Sequence, residues 1–184
     1  MMQQGIALGK KRLGDAFRHK NISSLLLYGV GALIILLLQN APAFFPTVWY
    51  ARPVPLVAYV VCVAVLEGAK AGAFIGTLCG VLWGLYAFRV FGFDALVLML
   101  IGLTVGLLVE WLLRANFLSA MLLCAASVLA QALIEWLGSY IIFYKPTAFP
   151  ILLQVYLPNC LYTIVLSPLI YWVVLQLARL LRRK

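Results

Sequence analysis

The sequence predicts an all-α integral membrane protein, a compact bundle of about six transmembrane helices with both ends in the cytoplasm. Three observations predict it. Of the 184 residues, 66% are hydrophobic and 10% charged, whereas a soluble domain carries roughly 45–50% and about 25%. The apolar residues fall into runs close to the ~20 residues that a spanning helix needs. The basic residues gather at the two ends, as in a multi-pass chain that keeps Lys and Arg on the cytoplasmic side.

A basic arm, residues 1–23, comes first and holds Lys10, Lys11, Arg12, Arg18 and Lys20. It is polar, and no small-residue cleavage site follows the first apolar run, so that run is expected to be a retained helix rather than a cleaved leader. The first span is expected at 24–40. Pro42, Pro46, Pro53 and Pro55 then end helical structure, while Trp49 and Tyr50 suit a headgroup layer. The stretch from Leu56 to Phe88 is too long for one span and is interrupted by Glu67, Gly68 and Lys70. It divides into helices at 56–67 and 70–88 joined by a tight turn, or forms one bent or re-entrant segment, which would leave five spans. Further spans are expected at 94–113, 117–140 and 152–177. The last contains Pro158 and Pro168, which kink a membrane helix without ending it when neighbours satisfy the freed carbonyls. The membrane domain is thus 24–178, followed by a basic tail at 179–184.

Charge tests this layout independently. With the N-terminus inside, the arm, Lys70, Arg114 and the tail residues Arg179, Arg182, Arg183 and Lys184 are cytoplasmic, which leaves Arg52, Arg89 and Lys145 outside. Such an asymmetry favours the N-in, C-in order and contact with anionic lipid headgroups. A nucleic-acid surface needs basic residues spread over a folded face. The net charge of +9 is therefore read as topological, with membrane lipids and no nucleic acid as partners.

The most regular motif is Gly72, Gly76, Gly80 and Gly84, one glycine per turn along the third span. Residues at this spacing share a helix face, and a small-residue face lets another backbone come close. Gly102 and Gly106 repeat the pattern on the fourth span, so the two stripes are candidates for packing on each other or for docking a partner's helix. Ionisable groups inside a membrane are functional candidates by default. Glu67 with Lys70, and Glu110 with Arg114, have spacings that suit local ion pairs near the cytoplasmic side. Gln131 and Glu135 lie deeper in the fifth span, and Asn159, Thr163 and Ser167 form a polar line on the last. These are candidate intramembrane polar contacts.

Catalysis finds no constellation. His19, the single histidine, is in the arm, which rules out a Ser/His/Asp site in the bundle or a His-rich metal cluster. No Gly-Lys-Ser/Thr phosphate loop is present. Cys62, Cys79, Cys124 and Cys160 sit in apolar runs without a CxxC pair, so they are read as small core residues and not as a disulfide framework. No cofactor and no metal are expected.

The stretch Glu67-Gly-Ala-Lys-Ala-Gly-Ala-Phe-Ile-Gly-Thr-Leu-Cys-Gly-Val-Leu, the segment Phe91-Gly92-Phe93-Asp94-Ala95-Leu96, and Leu157-Pro158-Asn159 with Ser167-Pro168-Leu169 before a basic tail carry a resemblance. Over roughly residues 24–184 the chain resembles the rod shape-determining MreD family of bacterial cytoplasmic membrane proteins. The resemblance implies a non-enzymatic scaffold of the elongation complex, which binds the bitopic protein MreC. Through MreC it would reach a RodA-type glycosyltransferase, a class B penicillin-binding protein and MreB, organising side-wall peptidoglycan synthesis and rod shape. It also implies an architecture similar to the S components of energy-coupling factor transporters. A substrate-binding S component for a vitamin is accordingly the alternative function, with Trp49, Tyr50, Tyr140 and Tyr144 as the aromatics available to a pocket. Such a pocket also needs hydrogen-bonding partners, and here they are few.

Overall fold

The computed structural model describes residues 22–41, 53–87, 92–112, 116–143 and 156–182. Within them the regular elements are six helices: α1 Ile22–Asn40, α2 Pro55–Glu67, α3 Ala69–Ala87, α4 Phe93–Trp111, α5 Phe117–Phe143 and α6 Leu157–Arg182. The basic arm with His19, the segment holding Pro42, Pro46, Trp49, Tyr50 and Arg52, and Arg89, Arg114, Tyr144 and Lys145 lie outside the described residues. The segments around Phe93–Trp111, Phe117–Gly138 and Leu157–Leu181 are long and apolar enough to cross a membrane, while Leu25–Asn40, Pro55–Glu67 and Ala69–Leu85 are shorter apolar helices.

Two boundaries differ from the sequence reading. The helix expected at 94–113 is α4, which ends at Trp111, and Asp94 in its first turn is 2% exposed. A carboxylate there faces the positive end of the helix dipole. The last helix, expected over 152–177, is described from Leu157 and runs on through the basic tail to Arg182. Leu177, Ala178, Leu180 and Leu181 are good helix formers with no Gly or Pro among them, and Ala178 is buried.

The bundle is organised around α2. It touches all five other helices, and Leu56 to Val65 are each at most 3% exposed. Thirteen residues rise only about 20 Å, so α2 is the shortest helix of the six and lies inside the bundle along nearly its whole length. Pro55 opens it at a position where a missing N–H does no harm. Leu56 N–H in its first turn donates to Gln39 Oε1 of α1 at 3.3 Å, Val57 N–H to the Val54 carbonyl at 3.3 Å, and Val54 N–H just ahead donates to Thr163 Oγ1 of α6 at 2.9 Å. Gly68 alone separates α2 from α3, at φ 89° and ψ −178°. Only glycine adopts that backbone readily, and Ala69 N–H is then capped by Glu110 Oε1 of α4 at 2.9 Å.

The surrounding helices each turn one stripe inward. On α1 it is Tyr28, Ala32 and Leu36, one turn apart, with Leu26, Val30, Leu33 and Leu37 outside. On α5 it is Ala120, Cys124, Ser127, Val128 and Gln131, and on α6 Cys160, Thr163, Ser167, Ile170, Val174 and Ala178. Pro168 lies inside α6 and cannot donate to the carbonyl of Ile164. Ser167 Oγ donates to that oxygen instead, at 2.7 Å. Glu67, Asp94, Gln131, Thr163 and Ser167 are buried, while Leu122, Leu161, Val165, Leu169 and Trp172 are exposed. Polar groups inside and large apolar groups outside suit a bilayer as solvent, not water.

Candidate functional site

Three groups of residues stand out. The first is the seam between α3 and α4, the most extensive helix contact in the bundle. A Cβ added to Gly72 would lie 2.6 Å from the Gly102 carbonyl oxygen and 2.6 Å from Ala64 Cβ. Cβ atoms on Gly76, Gly80, Gly102 and Gly106 would run into the backbones of Leu98, Ala95, Gly72 and Ala69 respectively. The two glycine faces meet each other, so the chain's own helices fill them. Gly84 differs, for a Cβ there would have only Asp94 Oδ2 nearby, at 3.9 Å.

The second group is a buried relay joining α1 and α2. Tyr59 Oη donates to the Tyr28 carbonyl at 2.7 Å, and Tyr28 Oη donates to Glu67 Oε1 at 2.8 Å. Both tyrosines are 1% exposed. Gly31 makes room for the relay, since a Cβ on it would come 2.7 Å from Tyr59 Oη. The sequence reading had placed Glu67 beside Lys70 in a local pair at an interface. In the structure Glu67 is 7% exposed and points into the bundle, whereas Lys70 is exposed. The tyrosines were missed. The available signal was a phenol within each of two apolar runs, since a buried Tyr hydroxyl usually finds a partner.

The third group brings together four of the five polar candidates of the last two helices, all but Ser167. Gln131, Glu135, Asn159 and Thr163 line one cavity of about 50 Å³, together with Val54 just ahead of α2, Val57 of α2, Trp83 of α3 and Tyr156. Gln131 Nε2 donates to Glu135 Oε1 at 3.0 Å, and Thr163 Oγ1 donates to the Asn159 carbonyl at 2.7 Å. The cavity lies at the end of the bundle where α2 and α6 begin. Glu67 and Glu110 lie at the opposite end.

The four cysteines are buried and unbridged, with Cys62 Sγ 3.9 Å from Cys124 Sγ. Among the described residues no three His, Cys, Asp or Glu side chains gather as a metal site would require.

The family model of the rod shape-determining protein MreD matches residues 20–181. The chain belongs to the MreD family. No curated protein and no solved structure matches it. Membership of the MreD family, together with three helices apolar and long enough to span, makes this a membrane protein with a rod-shape-determining, structural role. The MreD match takes in all six helices but for the last residue of α6, so the glycine seam, the tyrosine relay and the cavity all belong to the family's domain.

Proposed function

We propose that this chain is a non-enzymatic scaffold of the bacterial cytoplasmic membrane that binds a MreC-like bitopic protein. Through it the chain would join a RodA-type glycosyltransferase, a class B penicillin-binding protein and MreB in side-wall peptidoglycan synthesis. The match to the MreD family across nearly the whole chain carries this reading. Six membrane passes with both ends inside are part of it, supported by the clustering of basic residues at the two ends.

The glycines have an internal role in this proposal. Gly72, Gly76 and Gly80 are occupied by α4, so a partner's transmembrane helix would dock on the outer apolar surface and leave the seam closed. Vitamin binding is the rival reading. Among the described residues the cavity is about 50 Å³, below the roughly 300–1,000 Å³ of small-molecule pockets, which favours the scaffold.

Depletion of the protein in its rod-shaped host tests the function. Cells are expected to widen and round up, and re-expression of the chain to restore rods. Cells that keep their rod shape through depletion would refute the proposal.

A further inference from the structure

One of the residues that line the cavity between α2, α3, α5 and α6 has a polar atom that no hydrogen bond accounts for. Gln131 is 4% exposed, and its Oε1 has no hydrogen-bond partner. The amide cannot relieve this by flipping. Its Nε2 is held by the Glu135 carboxylate at 3.0 Å, an acceptor, so Oε1 is left as the group that needs a donor. A buried carbonyl left in this state is unfavourable. Among the described residues no Lys, Arg or His lines the cavity to supply the donor from within.

We propose that this cavity is a subsite for a single primary ammonium group, donated by a ligand that enters past the partly buried Glu135 and Tyr156. Three features select that chemistry. Gln131 Oε1 and the Glu135 carboxylate are acceptors, and together they favour a cationic donor over an anion. Trp83 adds an aromatic ring to the lining, which attracts a cation at its face. The volume of about 50 Å³ takes a group of a few heavy atoms, given that one water needs roughly 10–15 Å³ on this measure. An aminoethyl head fits, whereas a quaternary choline head or a sugar is too large. The ammonium has two sources, the headgroup of an ethanolamine phospholipid and a free amine such as ethanolamine. The cavity is at an end of the bundle, within reach of headgroups.

The test uses the full chain reconstituted with an equal mixture of phosphatidylethanolamine and phosphatidylglycerol, followed by gentle extraction and mass spectrometry of retained lipid. Thermal unfolding with and without free ethanolamine runs in parallel. Gln131→Leu is the variant. It keeps the side chain's approximate volume and removes the unpartnered oxygen together with the Nε2 bond to Glu135, so the unfolding temperature of the unliganded variant is the baseline against which its own ligand shift is read.

Wild type is expected to retain phosphatidylethanolamine in preference to phosphatidylglycerol. Gln131→Leu should lose that preference roughly tenfold, the loss expected for one hydrogen bond to a charged group. Retention of the phospholipid identifies the headgroup as the source. An upward thermal shift with free ethanolamine alone, absent in Gln131→Leu, supports the same subsite with a soluble source. Equal retention of both lipids with no ethanolamine shift would overturn the proposal, and so would identical behaviour of wild type and variant. Water alone would then be the occupant.

Discussion

Gly76 and Gly84 are two turns apart on α3 yet have opposite surroundings. A Cβ on Gly76 would press into the Leu98 backbone, which cannot swing aside, whereas Gly84 faces open space up to Asp94 Oδ2. Gly76→Ala is therefore expected to destabilise the folded protein by about 1–3 kcal/mol through overpacking. Gly84→Ala should be neutral or slightly stabilising, since alanine is the better helix former by about 1 kcal/mol. Unfolding midpoints in mixed detergent compare the two, and equal loss in both would contradict the seam. Tyr28→Phe removes the donor to buried Glu67 and should destabilise by about 1–3 kcal/mol in the same assay. The glycine spacing was legible because it repeats with the helix turn. The Tyr28–Glu67 bond was not, because it joins residues 39 apart in sequence on different helices, and no local spacing encodes such a meeting. Glu67 looked like a partner for Lys70 only because i, i+3 neighbours can be read without a fold.

At the scale of elements, α2 is short yet central. Its run of apolar residues was visible, but a continuous apolar run has no outward face by which to tell a spanning helix from a buried one. Its place among all the other helices follows from packing. Ala64 is fully buried and faces Gly72, while Leu122 of α5 is 65% exposed. Ala64→Leu should destabilise the bundle by about 1–3 kcal/mol or abolish folding, and Leu122→Ala should leave the unfolding midpoint unchanged within error. A tolerated Ala64→Leu would remove α2 from the core.

In α6 the sequence marks Pro168 as a break in the backbone ladder, and the hydroxyl that serves the freed carbonyl belongs to its immediate neighbour. Ser167→Ala should destabilise by about 1–3 kcal/mol because it leaves the Ile164 carbonyl without its donor. In a Pro168→Ala background, where the backbone N–H returns, the same substitution should have little effect. A double-mutant cycle measures that coupling, and additivity would sink the explanation.

For the whole molecule, hydropathy and charge made the class legible: an all-helical chain with apolar outer surfaces. The cavity was half legible. Gln131, Glu135, Asn159 and Thr163 could be picked out as polar residues in apolar helices, but Trp83 and Val54 join them only through the packing of α2 and α3. Reporter fusions at Lys184 and near Lys145 test the proposed orientation. The first is expected on the cytoplasmic side and the second outside, and the reverse order would contradict it.

The scaffold role makes its strongest claim in one contact, that with MreC. The measurement is recovery of a MreC-like protein with the affinity-tagged full chain from native membranes in mild detergent, with a tagged unrelated membrane protein as control. Stoichiometric MreC on the tagged chain and none on the control is the predicted result. A folded, stable chain that brings down no MreC would contradict it.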